Sequence, residues 1–504
     1  MLRLRYLALL AAVGCSPVKD SSNVPDATID SMDTRPPMIE SSVPMNMGTK
    51  VSVISPISVF FDESLDPASV TSATVKLTYF ANFPMPVLPN FVLTVPHGPI
   101  PASGFLQVKG TVSYDDAAKK VSFEPAAPLP YGFVFSLSLD VKDTAGLGFT
   151  GSVSFTTFVN SAVKQYFFNN TNGIPIQWLG NPTDMNGRQT KRVAGTAPGT
   201  DTIWFTADDP KNQRSDFRFD PDGRILDERY FGSGPDAIFD TNDDTISICV
   251  RYSFDAMKMM TERTYAATAG PDAMFCTPDD VPSVNSVYTY MGSTMTGFVY
   301  NNNAGTDGTW HTSDDRCAIY YDYQYDAMGN KSREIYRNCA ADQLPRTADD
   351  TYNQYYAYEY DAAGNVTKRT YYYNPGTDNT WLTPDDTIGE VIRYNRNSDG
   401  IITEQLNSFA VGTDGMWATN DDPGQRTATT LDAKQLAEEI TVYSAVGTDG
   451  MWGTADDVIA NYQKLAYDAL GNRTDSKTYL AGPDAMWRTP DDRIVQDFDF
   501  DLSH

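Results

Sequence analysis

An eleven-residue pattern, Gly-x-Asp-x-x-aromatic-x-Thr-x-Asp-Asp, begins at Gly199, Gly234, Gly270, Gly305, Ala340, Gly376, Gly412, Gly447 and Gly482, nine copies set 35 or 36 residues apart. The three Asp and the Thr stand in all nine, and the aromatic position is Trp or Phe in eight, with Pro345 the exception. Each copy places several side-chain oxygens in a Gly-containing loop that can fold back on itself. Hard cations such as calcium take roughly six to eight oxygens, with backbone carbonyls completing the shell. The candidate calcium ligands are Asp201, Asp208 and Asp209; Asp236, Asp243 and Asp244; Asp272, Asp279 and Asp280; Asp307, Asp314 and Asp315; Asp378, Asp385 and Asp386; Asp414, Asp421 and Asp422; Asp449, Asp456 and Asp457; and Asp484, Asp491 and Asp492. The fifth copy, with Ala340 for Gly and Pro345 for the aromatic, is degenerate and left out of that set.

The same letters have a purely structural use. The first Asp can form an Asx-turn, the Thr can cap a local turn, the paired Asp can stay in water and the aromatic can be a core peg rather than a sugar-stacking platform. The loop also departs from the Asp-x-Asp-x-Asp-Gly pattern of a helix-flanked calcium loop. Three Asp in each of nine loops equal in number the whole formal net charge of −27. Crowding them without counterions is costly, because closely spaced like charges repel.

Something periodic must carry these loops. Between them lie segments such as YQYDAMGNKSREIY at 323–336, YEYDAAGNVTKRTYY at 358–372 and LAYDALGNRTDSKTY at 465–479. Tyr and β-branched residues alternate on both sides of Asp-Ala-x-Gly-Asn, where a Gly able to take positive φ suits a tight hairpin turn. Each repeat therefore reads strand, turn, strand, acidic loop, and a fixed period of this length marks an array whose units bury apolar faces against their neighbours. Over residues 160–504 these segments resemble the YD repeats of Rhs-type cell-surface proteins, with the period lengthened by the acidic loop. The resemblance implies a β-hairpin array of about nine repeats and implies little about activity.

Upstream, residues 36–158 change to short β-branched and aromatic runs punctuated by Gly, Pro and Asp, among them VSVISPISVFF, VTSATVKLTYF, KKVSFEP, FVFSLSLDV and GSVSFTTF. Strand-length runs of this kind argue a β-sandwich. The stretches SVFFDESLDPASVTSATVKL, VSYDDAAKKVSFEPAAPLPYG and VKDTAG followed by SVSFTTF resemble a bacterial Ig-like domain. Such domains act as spacers or adhesion modules and bring no catalytic residue with them. The fold class expected for the whole chain is all-β: an Ig-like sandwich followed by an antiparallel hairpin array.

The first fourteen residues carry Arg3 and Arg5, a short apolar run and Gly14 before Cys15. That run is shorter than the roughly 18 apolar residues a membrane-crossing helix needs, so it reads as a cleavable export signal. Ala12-Val13-Gly14-Cys15 resembles the lipobox of bacterial lipoproteins, which implies acylation of Cys15. Residues 15–35, rich in Ser, Asp and Pro, read as a flexible tether, and Ser16 after the Cys resembles the outer-membrane sorting pattern. The expected address is outside the inner membrane, lipid-anchored to the outer membrane. With 65 Asp plus Glu against 38 Lys plus Arg, nucleic acid and anionic lipid headgroups are excluded as partners, leaving a cell-surface protein or a glycan.

Catalytic constellations are scarce. The only His are His97, His311 and His504, and an Asp pair recurring nine times is a structural unit rather than one acid/base site. No enzymatic role is expected; the alternatives to a structural or adhesive role are a glycan binder or an envelope hydrolase with a site between repeats. Export permits disulfides. Cys317 and Cys339 lie symmetrically about position 328, the middle of one DAMGN turn, and are expected to pair; Cys249 and Cys276 lack such symmetry and are left open between pairing and free thiols.

Overall fold

The computed structural model describes residues 35–82, 103–157, 164–168, 175–182, 184, 188–202, 206, 208–220, 224–257, 259–292, 294–307, 309, 310, 312 and 314–500. The export signal, Cys15 and the tether lie outside the described residues, as do His97, His311, His504 and Trp204.

Residues 35–157 build two facing sheets. One has four strands in the order Ile39–Val43, Ile57–Phe61, Lys120–Pro125, Gly110–Asp115; the other has five in the order Gly48–Val51, Gly148–Thr157, Val134–Lys142, Val75–Asn82, Ser103–Gln107. Alternation sets which side chains meet between them: along Val134–Lys142, Phe135, Leu137, Leu139 and Val141 are buried while their neighbours face outward. With Ile57, Val59, Phe61, Leu77 and Phe155 they form one dense core.

The remainder is a single sheet of twenty antiparallel strands, paired in sequence order and closed into a barrel. Closure is made by Lys164–Phe168 against Arg493–Asp499, with Lys164 opposite Asp499 and Tyr166 opposite Asp497. The expected hairpin array is therefore present, and it ends on itself, which removes the open edges an array would otherwise leave to water and to other chains.

Most of the hairpins turn by the same device, the Met291–Thr294 turn being an exception that lacks the Asp. In the 326–330 turn, Asp326 accepts backbone bonds from Met328 (2.9 Å) and Asn330 (2.8 Å) and a side-chain bond from Asn330 (3.0 Å), while Gly329 supplies φ of 84°. Asp361 with Asn365 and Asp468 with Asn472 repeat it. A left-handed residue at this place goes with a bulge at the strand end. The ladder indeed slips beside the turn, between Gln324 and Tyr325, Glu359 and Tyr360, and Ala466 and Tyr467. The bulged Tyr then latches to the preceding repeat: Tyr290, Tyr325 and Tyr360 donate to the carbonyls of Met260, Met295 and Lys331 at 2.6–2.7 Å.

The wall is one layer thick. Thr351–Tyr360 is half-buried or exposed at nearly every position on both faces, unlike the strict alternation of the sandwich strands. Its side chains find apolar contact sideways, as in the stacks of Tyr355 on Tyr372 (4.3 Å), Tyr462 on Tyr479 (4.8 Å) and Phe298 on Tyr321 (4.6 Å). The two faces are not equivalent. Tyr323, Tyr358 and Tyr394 are surrounded by protein far more densely than Tyr320, Tyr355 and Tyr462, although each of the first three keeps a partly open side chain, as expected where the surrounding wall curves around them. We take this as the concave face. Tyr320, Tyr355 and Tyr462, one residue out of phase, lie on the convex face.

Candidate functional site: the acidic rim

Turns and acidic loops alternate along the chain, so in the closed barrel all nine loops gather at one rim and the Asp-Ala-x-Gly-Asn turns at the other. The loop at 412–422 shows how the letters are used. Asp414 accepts from the Met416 amide (2.8 Å), an Asx-turn that leaves the loop tip exposed. Asp421 accepts from the amide and hydroxyl of Thr413 (2.6 and 2.7 Å), the Asp414 amide (3.1 Å) and the Thr419 hydroxyl (2.7 Å). Asp422 is fully buried and accepts from the amides of Gly412 (2.8 Å) and Thr419 (3.2 Å), clamping the two ends of the loop together.

These bonds set the ionisation. The hydroxyls of Thr413 and Thr419 lower Asp421 to about 2, and Asp456 and Asp208 are lowered as far by equivalent Thr pairs. Where the second loop residue is Pro or Ala, as at Asp243, Asp279, Asp349 and Asp491, one hydroxyl is missing and the lowering rests first on the single remaining Thr.

The opening Gly is tightly enclosed, although the fifth loop closes around Ala340 at the same place. A Cβ on Gly447 would meet Asp456 Cγ at 2.2 Å and its carbonyl oxygen at 2.4 Å, and the same clash recurs at Gly199, Gly412 and Gly482. The aromatics are pegs: Trp452 is buried and donates to the Asp422 carbonyl (2.8 Å), Trp310 donates to the Pro282 carbonyl (3.0 Å), and Trp381 and Trp487 pack edge-on against Tyr355 and Tyr462.

One set of residues has no counterpart in the repeated letters. In six repeats the residue five places before the end of the strand leading out of an acidic loop reaches the next acidic loop. Tyr320, Tyr355 and Tyr462 donate to Asp350, Asp386 and Asp492 (2.8, 2.8 and 2.7 Å). At the corresponding place Arg214 donates to Asp244 (3.1 Å) and Arg426 to Asp457 (3.3 Å). Cys249, also at that place, is joined by a disulfide to Cys276 of the following loop. Different chemistry does one job, which hides the position from pattern reading.

Cys317 and Cys339 are joined as well, with Cα atoms 5.7 Å apart. They sit just beyond the last ladder pair, Ile319 opposite Asn338, and the bulge at Gln324 and Tyr325 shifts the register between them and the turn, so the pair is slightly offset rather than directly opposed.

Of the candidate metal ligands, the carboxylates of Asp201, Asp208 and Asp209 converge within 4.8 Å, as do those of Asp414, Asp421 and Asp422. The degenerate fifth loop, left out on sequence grounds, brings Asp342, Asp349 and Asp350 together equally closely. Among the described residues the triplets beginning Asp236, Asp272, Asp307, Asp378, Asp449 and Asp484 are not gathered so tightly.

Residues 33–157 match the family described as bacterial Ig-like domain. This segment is a bacterial Ig-like domain. The Ig-like domain carries none of the acidic loops, and its match stops where the barrel approaches. No curated protein matches the chain. Among solved structures, the copper resistance protein PcoC from Escherichia coli is 19% identical over 24% of this chain and 98% of its own, with a TM-score of 0.19. A TcdB2-TccC3 protein is 12% identical over 75% of this chain and 20% of its own (TM-score 0.22), and a porin-like protein from Bacteroides uniformis is 8% identical over 67% and 95% (TM-score 0.23). Overlays this loose do not bear on function.

Proposed function

We propose that this is a structural or adhesive protein of the bacterial cell envelope, lipid-anchored through Cys15 and holding the acidic rim of a YD-like repeat barrel as its interaction surface. The observation that carries the reading is the rim itself. Nine acidic loops stand side by side on a closed wall, each fixed by its own hydrogen bonds, and most are tied to the preceding repeat. Fixed, repeated, like-charged tips suit many weak simultaneous contacts with a partner protein or glycan better than they suit one reaction centre. No catalytic role is assigned. Support for an envelope address comes from the Ig-like domain and from the lipobox-like residues before Cys15.

Fractionation tests the address. Cys15→Ser should move the protein from the membrane to the soluble fraction, because stable anchoring takes acyl chains and no other anchor is proposed. Wild-type protein found soluble and unacylated would sink the claim.

Calcium at the rim is a second reading, favoured by the convergence of Asp201, Asp208 and Asp209 and of Asp414, Asp421 and Asp422. Calcium should then raise the melting temperature more than monovalent salt of matched ionic strength, since screening alone also relieves repulsion. Calorimetry without binding at millimolar calcium would leave the loops as self-sufficient turns.

A further inference from the structure

The Ig-like domain touches the barrel at widely separated places. Ser52 donates to the Leu470 carbonyl (2.7 Å) and Tyr131 to the Gly471 carbonyl. The side chains of Val53 and Ile54 lie 3.1 and 3.2 Å from where a Cβ on Gly471 would project, and Lys109 Nζ lies 3.9 Å from the same point on Gly400. Strand Ser103–Gln107 packs beside Thr294–Asn303.

Position around the ring gives these contacts their meaning. Counting from Lys164–Phe168, Thr294–Asn303 is the ninth strand, Gly400 joins the fourteenth and fifteenth, and Gly471 joins the eighteenth and nineteenth of twenty. The outer two contacts are therefore half a circumference apart, with the third midway. A compact domain that reaches both sides of a mouth must lie across it. Gly400 and Gly471 belong to hairpin turns, so the mouth it crosses is the turn-bearing one.

From this we infer that the barrel is a blind cup: the Ig-like domain stoppers the turn-side mouth, and solutes reach the concave wall only past the nine acidic loops. Closed barrels of about 16–18 strands already leave an aqueous channel, and the single-layer wall here has partly open side chains on its inner face. A passage ringed by fixed carboxylates concentrates cations and repels anions, changing encounter rates by about tenfold to a thousandfold at low salt. The lumen should thus accept cationic or uncharged solutes and exclude anionic ones, whether or not the protein is lipid-anchored.

A reporter thiol tests this in the full chain. Thr427→Cys lies on the concave face, two ladder steps from Tyr394 through Gln405. Its reaction is followed with two methanethiosulfonates of similar size, one bearing a quaternary ammonium and one a sulfonate, and corrected for background in the unmodified chain. In low salt the cationic reagent should react at least about tenfold faster, after allowing for the ratio measured on a free thiol peptide, and 0.5 M salt should shrink the difference. The stopper is then loosened in two ways, by Gly471→Trp and by the milder pair Ser52→Ala with Tyr131→Phe, each checked for an unchanged far-ultraviolet spectrum. Either should raise the anionic rate toward the cationic one. Equal rates in the parent overturn the acidic entrance, and a preference untouched by both loosened variants overturns the stopper.

Discussion

The hydroxyl of Tyr355 donates to Asp386 over 2.8 Å, so a strand residue of one repeat grips the acidic loop of the next. Both are buried, and Asp386 also accepts from the Leu382 amide (2.8 Å). The carboxylate thus receives from its own loop and from its neighbour at once.

Removing the hydroxyl should therefore cost more than an average surface change. Tyr355→Phe is expected to destabilise by about 1–3 kcal/mol, the range for leaving a buried acceptor underserved. A double-mutant cycle with Asp386→Asn, read by urea unfolding, should return a coupling of about 0.5–3 kcal/mol. Strict additivity would mean the two side chains do not act together.

Acid should loosen the rim before it unfolds the sandwich. Asp208, Asp421 and Asp456 are lowered from 3.8 to about 2 by Thr hydroxyls and loop amides. A depressed folded value means the contribution is complete above the unfolded value near 3.8 and is lost as pH falls through about 2. Amide exchange in the loops should accelerate between pH 4 and 2 while the Ig-like core stays protected. Thr413→Val should shift the onset at its own loop upward, because Asp421 then loses a donor; an onset unchanged in that variant would contradict the assignment.

Both disulfides should be present in oxidised protein and separable by effect. They close 27 and 22 residues of chain, and loops of this size contribute roughly 3 kcal/mol each on the chain-entropy account. Cys249→Ala with Cys276→Ala should free the 270–280 loop specifically, seen as faster proteolysis there, whereas Cys317→Ala with Cys339→Ala should loosen the base of one hairpin. Peptide mapping that recovers other pairings would displace this arrangement.

The opening Gly of the 447–457 loop should resist even a methyl group, although the fifth loop is built around Ala340. Gly447→Ala forces a Cβ into Asp456, and overpacking of this kind costs about 1–3 kcal/mol. Thermal melts alongside Gly146→Ala would expose the difference: no atom lies within 4 Å of a Cβ at Gly146, so that variant carries only its positive-φ penalty.

How much of this could be read from letters depended on whether one residue type did one job. The Asp, Thr and Gly of the loops and the Asp-Ala-x-Gly-Asn turns recur because each satisfies a fixed local geometry, so the hairpins and their loops were legible. The strand position that grips the next loop was not, because Tyr355, Arg426 and Cys249 are interchangeable there in role and unrelated in kind. The pairing of Cys249 with Cys276 stayed open for the same reason, while Cys317 and Cys339 showed their symmetry about a visible turn. Closure was invisible too, since the pairing of Tyr166 with Asp497 joins positions more than three hundred residues apart through backbone bonds that leave no compositional trace.

Closure also limits how such a chain can change length. An open solenoid can gain or lose units one at a time at its end, but a ring of hairpins admits only whole two-strand insertions, each of which widens the circumference and reseats everything that rests on the mouth. A deletion cutting a repeat in half would leave one strand edge facing water, an invitation to pair with another molecule. Variation in this lineage should therefore come in steps of 35 or 36 residues, and the Ig-like domain, fitted to a mouth of one diameter, would act as the gauge that fixes how many are kept.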